Sequence, residues 1–400
     1  MIGWIMLSRQ AVAQAESALK SDQLGVRDEV GFLSLHQALS DRFFPGTSVL
    51  HTRLRYALFV PWLMEVAQGN PVLLRKHELA LTWQLNQGKD KSQGVIGGSI
   101  LPRPPIQPPS MIYWSALARW HILQPRPDGL SSSRGEILKK ISAIHSQTSG
   151  RHRMDDGEPA EDDDLLPFVK LPSPPAEFLS SSEPMDFNLT TPERNFMRRH
   201  LIGVAKGGSP DLSQSLLSRM VDKRLSVKQI NVPWSKAIRD IADADDKRAL
   251  TVASHAAALA GIGRAIYAAL VEEAKTADGS PRTTVHRVNT QEMVLKHGAA
   301  ATSLDISALN AMVPGLPGYL TDVLSETQKW LQSDRQKVDS LRDVYQIAEV
   351  HRKGARARLA RNLGGQGRRA QWSAEKHPLA EPLHFRWGNV RRLLNDLEPV

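Results

Sequence analysis

Apolar side chains recur at helical spacing along most of this chain. Val12, Ala15 and Leu19 follow Ser8 at i, i+3 and i+7, which predicts a helix capped by Ser8 and running to about Lys20. Leu35, Leu39 and Phe43 then share one helical face. Phe44-Pro45-Gly46-Thr47-Ser48 reads as a turn with a capping hydroxyl, and Leu50, Leu54 and Leu58 stripe a second helix towards Gly69. Pro61 predicts a kink or an early end there. Two helices joined by so short a turn suit either a helix-turn-helix or a plain helical hairpin. Beyond them come a helix near Leu73–Leu85, the Gly94–Gly98 segment, and five prolines between 102 and 109. A short helix with Ile112, Tyr113, Trp114, Leu117 and Trp120 follows over about Ser110–Leu123. Residues 70–123 thus read as a small winged-helix-like module with its aromatics in a core.

After residue 125 the pattern lapses. Residues 126–188 are rich in Pro, Ser and acids, as linkers are, with Leu165–Phe168 and Phe178 as candidate anchors. Thr190-Thr191-Pro192-Glu193 restarts the helices, with Pro at the first position and Glu in the first turn. Val252, Leu259 and Ile266 lie seven apart in an Ala- and Gly-rich stretch over Lys247–Lys275, the composition of a closely packed central helix. Leu324, Leu331, Val338 and Tyr345 repeat the spacing and predict one long helix from Thr321 that Gly364-Gly365 would end. The fold class expected is mostly α: an N-terminal helical domain over 1–125, a linker over 126–188 and a larger C-terminal helical domain over 189–400.

Composition narrows the chemistry. The 400 residues include no cysteine, which excludes disulfides, thiol nucleophiles and Cys-based metal sites. A chain of this length buries enough surface to need no staple. Met1–Leu7 is too short for a signal-peptide core, and no apolar run of about 18 residues is evident, so a cytoplasmic protein without membrane contact is expected. The formal charge of +9 is unevenly placed. Seven acids and no base occupy 155–164, whereas eleven Lys/Arg face two Glu over 351–392. Clustered cations attract phosphate backbones through counterion release. The expected nucleic-acid contacts are therefore Arg352, Lys353, Arg356, Arg358, Arg361, Arg368, Arg369, Arg391 and Arg392, with Arg42, Arg53 and Arg55 as a weaker second patch. The acidic run could fold over this basic arm and compete with DNA. Trp387, Val390 and Leu394 form an apolar stripe expected to dock on the C-terminal domain, with Arg391 and Arg392 at its rim.

Catalytic motifs are absent. Gly94–Gly98 lacks the Lys-Ser/Thr of a phosphate loop, and Gly207-Gly208 follows no convincing strand. The 13 histidines form no metalloprotease or phosphodiesterase signature, and no serine sits in a Gly-x-Ser-x-Gly turn. Gly261-Ile262-Gly263 reads as packing. Neither a metal nor a cofactor is expected.

Several short motifs do form a recognisable set. Ile2-Gly3-Trp4-Ile5, Arg42-Phe43-Phe44-Pro45-Gly46-Thr47-Ser48, Thr52-Arg53, Arg55-Tyr56, Phe59-Val60-Pro61-Trp62, Gly94-Val95-Ile96-Gly97, Ile112-Tyr113-Trp114 and Phe385-Arg386-Trp387 occur in that order. Together they resemble an uncharacterised bacterial family, itself a domain of unknown function. The resemblance implies a place in anti-phage defence islands, beside helicases and phospholipase-D-like nucleases. The function expected is a non-catalytic DNA-binding or adaptor subunit of a defence complex. The alternatives are a protein–protein scaffold without nucleic acid, or a nuclease whose site assembles from distant residues.

Overall fold

The structure, a computed structural model, describes residues 28–88, 93–126, 128–151, 167–180, 183–207, 213–333 and 337–398. The helix expected over 8–20 and the acidic run at 155–164 lie outside the described residues, as does Gly208. The described residues hold sixteen α-helices, and their only β pairings are the isolated antiparallel bridges Leu123↔Phe168 and Ala205↔Gln214. The fold is mostly α, as the periodicity indicates. A winged helix needs a β-hairpin wing, and the described part of 93–108 is turns and one 3-10 turn instead. Prolines 102, 104, 105 and 108 remove the donors that a ladder requires.

The chain divides into two compact units whose boundaries cross the segments drawn from composition. Unit 1 takes the described residues up to Ser40 and Asn231–Phe385; unit 2 takes Asp41–Ile230 and Arg386 onward. The first boundary falls inside helix α1 (Phe32–Phe43).

Unit 2 is built around α2 (Tyr56–Val66), in which every residue from Tyr56 to Met64 is buried. Such a helix is apolar all round because neighbours cover each face. It starts at Tyr56, not near Leu50, because tertiary partners take the preceding backbone groups. Thr52 and Arg53 N–H donate to the Tyr113 hydroxyl at 3.0 and 3.1 Å, and Leu54 N–H donates to Asp396 at 2.7 Å. The expected short turn is therefore a twelve-residue connection, which removes the helix-turn-helix; α2 also runs on through Pro61. In the Pro45-Gly46 turn, Trp120 Nε1 donates to Pro45 O at 3.1 Å. A Cβ on Gly46 would lie 2.6 Å from that nitrogen, and its φ is +79°. Next come α3 (Pro71–Asn86), α4 (Pro109–Ile112), α5 (Trp114–Arg119) and α6 (Arg134–Arg151).

Helix α6 corrects the linker expectation, since its Ile137, Leu138 and Ile141 are buried. Of the expected anchors, Leu165 and Leu166 lie outside the described residues, while Phe168 is buried and Phe178 meets the Trp62 ring edge-on at 5.4 Å. Unit 2 continues with α7 (Thr191–Ile202) and α8 (Leu216–Asp222).

Unit 1 contains α9 (Lys236–Ile241), α10 (Ala244–Ala277), α11 (Val285–Thr302), α12 (Ile306–Met312), α13 (Gly318–Gln332), α14 (Arg342–Lys353) and α15 (Leu363–Ala370). The 34-residue α10 is the expected central helix, and α11 is its most extensive helix partner. Its glycines permit that closeness. A Cβ on Gly261 would meet Met293 Cε at 2.8 Å, and one on Gly263 would meet Phe32 Cζ at 2.7 Å and the Tyr345 hydroxyl at 2.9 Å. Helix α10 also corrects the reading of apolar runs. An 18-residue window in it reaches a mean hydropathy of 1.3, enough to cross a membrane by length and composition, and 72% of that window is buried. The long helix expected from Thr321 is broken: α13 ends at Gln332, a 3-10 turn covers Val338–Leu341, and α14 stops at Lys353. Gly364 and Gly365 do not end a helix but sit in the first turn of α15, where Asn362 caps Gly365 N–H at 2.9 Å.

Candidate polyanion interface

The eleven cations of 351–392 do not form one arm. Arg352 to Lys376 belong to unit 1, while Arg386, Arg391 and Arg392 belong to unit 2. Within unit 1 most are engaged at home. Arg352 pairs with Asp28. Lys353 Nζ lies 3.1 Å from Glu349 Oε1, whose other oxygen accepts Leu359 N–H at 2.8 Å. Glu349, fully buried, also accepts the Tyr267 hydroxyl. Burial opposes the charge on Arg358, yet Tyr267, Glu349 and Glu29 outweigh it and raise its pKa. Arg369 is buried and forms a two-pronged pair with Asp278, and it donates to the Ala360 carbonyl at 2.9 Å. Arg361 pairs with Asp343 while staying exposed, as Arg356 and Arg368 do. Lys353, Arg358 and Arg369 thus make contacts within unit 1.

The second expected patch fares similarly. Arg55 is buried, giving hydrogen bonds to Asp186 O and Glu193 Oε1 at 2.9 Å each. Arg53 pairs with Asp396 at 2.9 Å and covers the Phe187 ring at 4.5 Å. Arg42 is half-buried beside the Phe43 ring. Arg391 donates to Ile230 O at 3.3 Å, and Arg392 is exposed. The Trp387 stripe is buried as expected, but in unit 2, where Trp387 Nε1 donates to Ile230 O at 2.9 Å and the ring meets Phe44 at 5.9 Å.

A basic surface that the sequence reading missed is built by α7 and α8. Helix α7 starts as expected, with a capping box. Thr190 N–H donates to Glu193 Oε2 at 2.7 Å, and the Thr190 hydroxyl accepts Glu193 N–H. Glu193 meanwhile holds Arg55, so its charge is neutralised inside the unit. On the outer side of α7, Arg194 and Arg198 are spaced i, i+4. Arg194 donates to Leu189 O at 2.9 Å and Arg198 to Leu397 O at 2.8 Å, both neutral acceptors, and the acid Glu398 partly offsets the charge of Arg198. Burial lowers the pKa of Arg198, and the charges of Arg224 and Arg194 lower it further. Arg198 thus lies within electrostatic reach of Arg194 and Arg224, and Arg199, Lys223 and Lys228 are exposed on the same stretch of chain, Lys223 beside Asp222 at 3.3 Å. Glu398 acts on Arg198 and pairs with Lys228. Its hydrogen bond with Lys228, at 2.6 Å, is the chief cause of its lowered pKa.

The missed signal is legible once known. Residues 191–230 carry eight Lys/Arg against Glu193, Asp211 and Asp222. The excess there is diluted over 40 residues, and only the fold gathers it.

Among the described residues one acidic group has metal-ligand proximity. Asp243, Asp245 and Asp246 place carboxylate oxygens within 4.8 Å of one another. Asp243 caps α10 by accepting Asp246 N–H at 2.7 Å, and carboxylates in a first turn oppose the helix dipole, so helix initiation accounts for the group.

A family model described as a family of unknown function, DUF6361, matches residues 2–398. No curated protein and no solved structure matches the chain.

Proposed function

The chain belongs to the DUF6361 family, and we propose that it is a nucleic-acid-binding adaptor that contacts the phosphate backbone through α7 and α8 of unit 2. The observation that supports this reading is the basic excess of residues 191–230, in which Arg194 and Arg224 both act on Arg198 against the single acid Glu398, a like-charge arrangement that an anion relieves. Contacts of this type are sequence-independent, because guanidinium groups on phosphates carry no base information. Arg368 and Arg392, both exposed, are members of the expected set suited to supplementary contacts. The partner we propose is a DNA-translocating or DNA-cutting protein of a bacterial anti-phage complex, the expectation that the family resemblance carries.

The test measures binding of a labelled 30-base-pair duplex by fluorescence anisotropy at 50 mM salt. Arg199→Glu with Arg224→Glu, both exposed side chains, should weaken binding at least tenfold while the melting temperature stays unchanged. Undiminished affinity overturns the assignment. Co-purification with helicase or nuclease partners that survives nuclease treatment, together with no duplex binding, favours the scaffold reading instead.

A further inference from the structure

Unit 1 carries a second surface, independent of the basic one. A cavity of about 680 Å³ lies beside α10, α11 and the extended segment 379–384. That segment is fastened in place. Asn289 Oδ1 accepts Ala380 N–H at 2.9 Å, Leu383 N–H reaches Ala257 O at 3.4 Å, and Pro382 lies over Gly261 too closely for a Cβ there. The cavity is therefore part of the folded framework, and its size falls within the ~300–1,000 Å³ of small-molecule sites.

Its lining combines three chemistries. Trp234, Met293 and Pro382 supply an apolar surface that includes an indole. Lys296, with His255 and His297 nearby in the lining, supplies a cation. Glu292 and Glu381 supply carboxylates, which when ionised only accept hydrogen bonds. His255, Glu292 and Lys296 have no hydrogen bond or ion pair among the described residues, whereas His384 lies 3.6 Å from Glu381. Burial and the neighbouring Lys296 lower the pKa of His297.

A ligand that satisfies all three must have a planar ring to lie on Trp234, an anionic group for Lys296, and hydroxyl or amino donors for the carboxylates. Planar rings stack on aromatic side chains regardless of their substituents, and an ammonium binds phosphate as a point charge. We propose that this cavity binds a nucleoside monophosphate group, its base on Trp234, its phosphate on Lys296 and its ribose hydroxyls on Glu292. The same chemistry occurs in a free mononucleotide and at the end of a nucleic-acid strand.

Isothermal titration of the full chain with AMP, adenosine, orthophosphate and a 5′-phosphorylated dinucleotide tests this. AMP should bind at least tenfold more tightly than adenosine or orthophosphate. Lys296→Ala should weaken AMP tenfold or more, and Glu292→Gln several-fold. Both side chains are exposed, so neither variant should endanger folding. Equal binding of the dinucleotide assigns the strand end, and binding of AMP alone assigns the free nucleotide. No heat at 1 mM AMP, or AMP binding unchanged in both variants, overturns the proposal.

Discussion

His51 lies flat against Tyr113 with ring centroids 4.3 Å apart, and its Nε2 is 3.1 Å from Ile112 O. Burial is the main reason its pKa falls to about 4; the bond to Ile112 opposes the fall and Arg386 adds to it. The unfolded chain takes up this proton near pH 6.5, whereas the folded chain resists it. The depressed value therefore contributes stability that is full above pH 6.5 and is lost as pH falls towards 4. At ~1.4 kcal/mol per pH unit the loss approaches about 3 kcal/mol. Buried acids such as Glu78 and Asp396 have raised pKa values and act in the opposite sense at the acid end. Comparison with His51→Gln isolates the histidine: urea midpoints should converge as pH falls from 7 to 4.5, and parallel curves would contradict the assignment. Glycines in unit 1 give a second test at this scale. Gly263→Ala drives a methyl into Phe32 and the Tyr345 hydroxyl, itself held by Thr327 at 2.8 Å, and should cost about 1–3 kcal/mol. Gly298→Ala, also in a helix, meets only Val294 at 3.7 Å and should gain up to about 1 kcal/mol through helix propensity. Thermal melts of the two should shift in opposite directions.

Among the elements, α7 shows what local signals can specify. Thr190, Pro192 and Glu193 set its start through bonds within one turn, so the sequence alone places it. Thr190→Ala removes the acceptor for Glu193 N–H and should cost about 1 kcal/mol in chemical denaturation. Helix α10 was legible for the same kind of reason, since its Ala and Gly pattern reflects packing repeated every turn. Helix α2 was not, because what delays its start is Tyr113 and Asp396, 57 and 340 positions away. The supposed long helix after Thr321 kept its seven-residue spacing across a break, and spacing alone does not reveal a break. Helix α6 was hidden by the composition around it, although Ile137, Leu138 and Ile141 are spaced as one buried face. The candidate interface was half legible. Charge counting finds cations, but which of them meet Asp278, Glu349 or Glu193 depends on contacts far along the chain.

On the scale of the whole molecule, the basic excess changes its address. Its densest segment, 351–392, is distributed between two units, and Lys353, Arg358 and Arg369 are bound within the first. Buried pairs of this kind act through folding. Glu349→Ala would leave Lys353 and Arg358 without their carboxylate and should cost about 3–5 kcal/mol in unit 1, read as an early transition in a denaturation curve. The proposed polyanion contacts fall instead on α7, α8 and the turn after α8. The most direct test is the salt dependence of duplex DNA binding between 50 and 200 mM, compared across two variant sets. Replacing Arg198, Arg199 and Arg224 by Gln should lower the log–log slope by about 2.7, at ~0.9 per phosphate contact. Replacing Arg352, Arg356 and Arg361 by Gln should leave the slope nearly unchanged. A slope that falls with the second set and stays constant with the first would contradict the interface placed on α7 and α8.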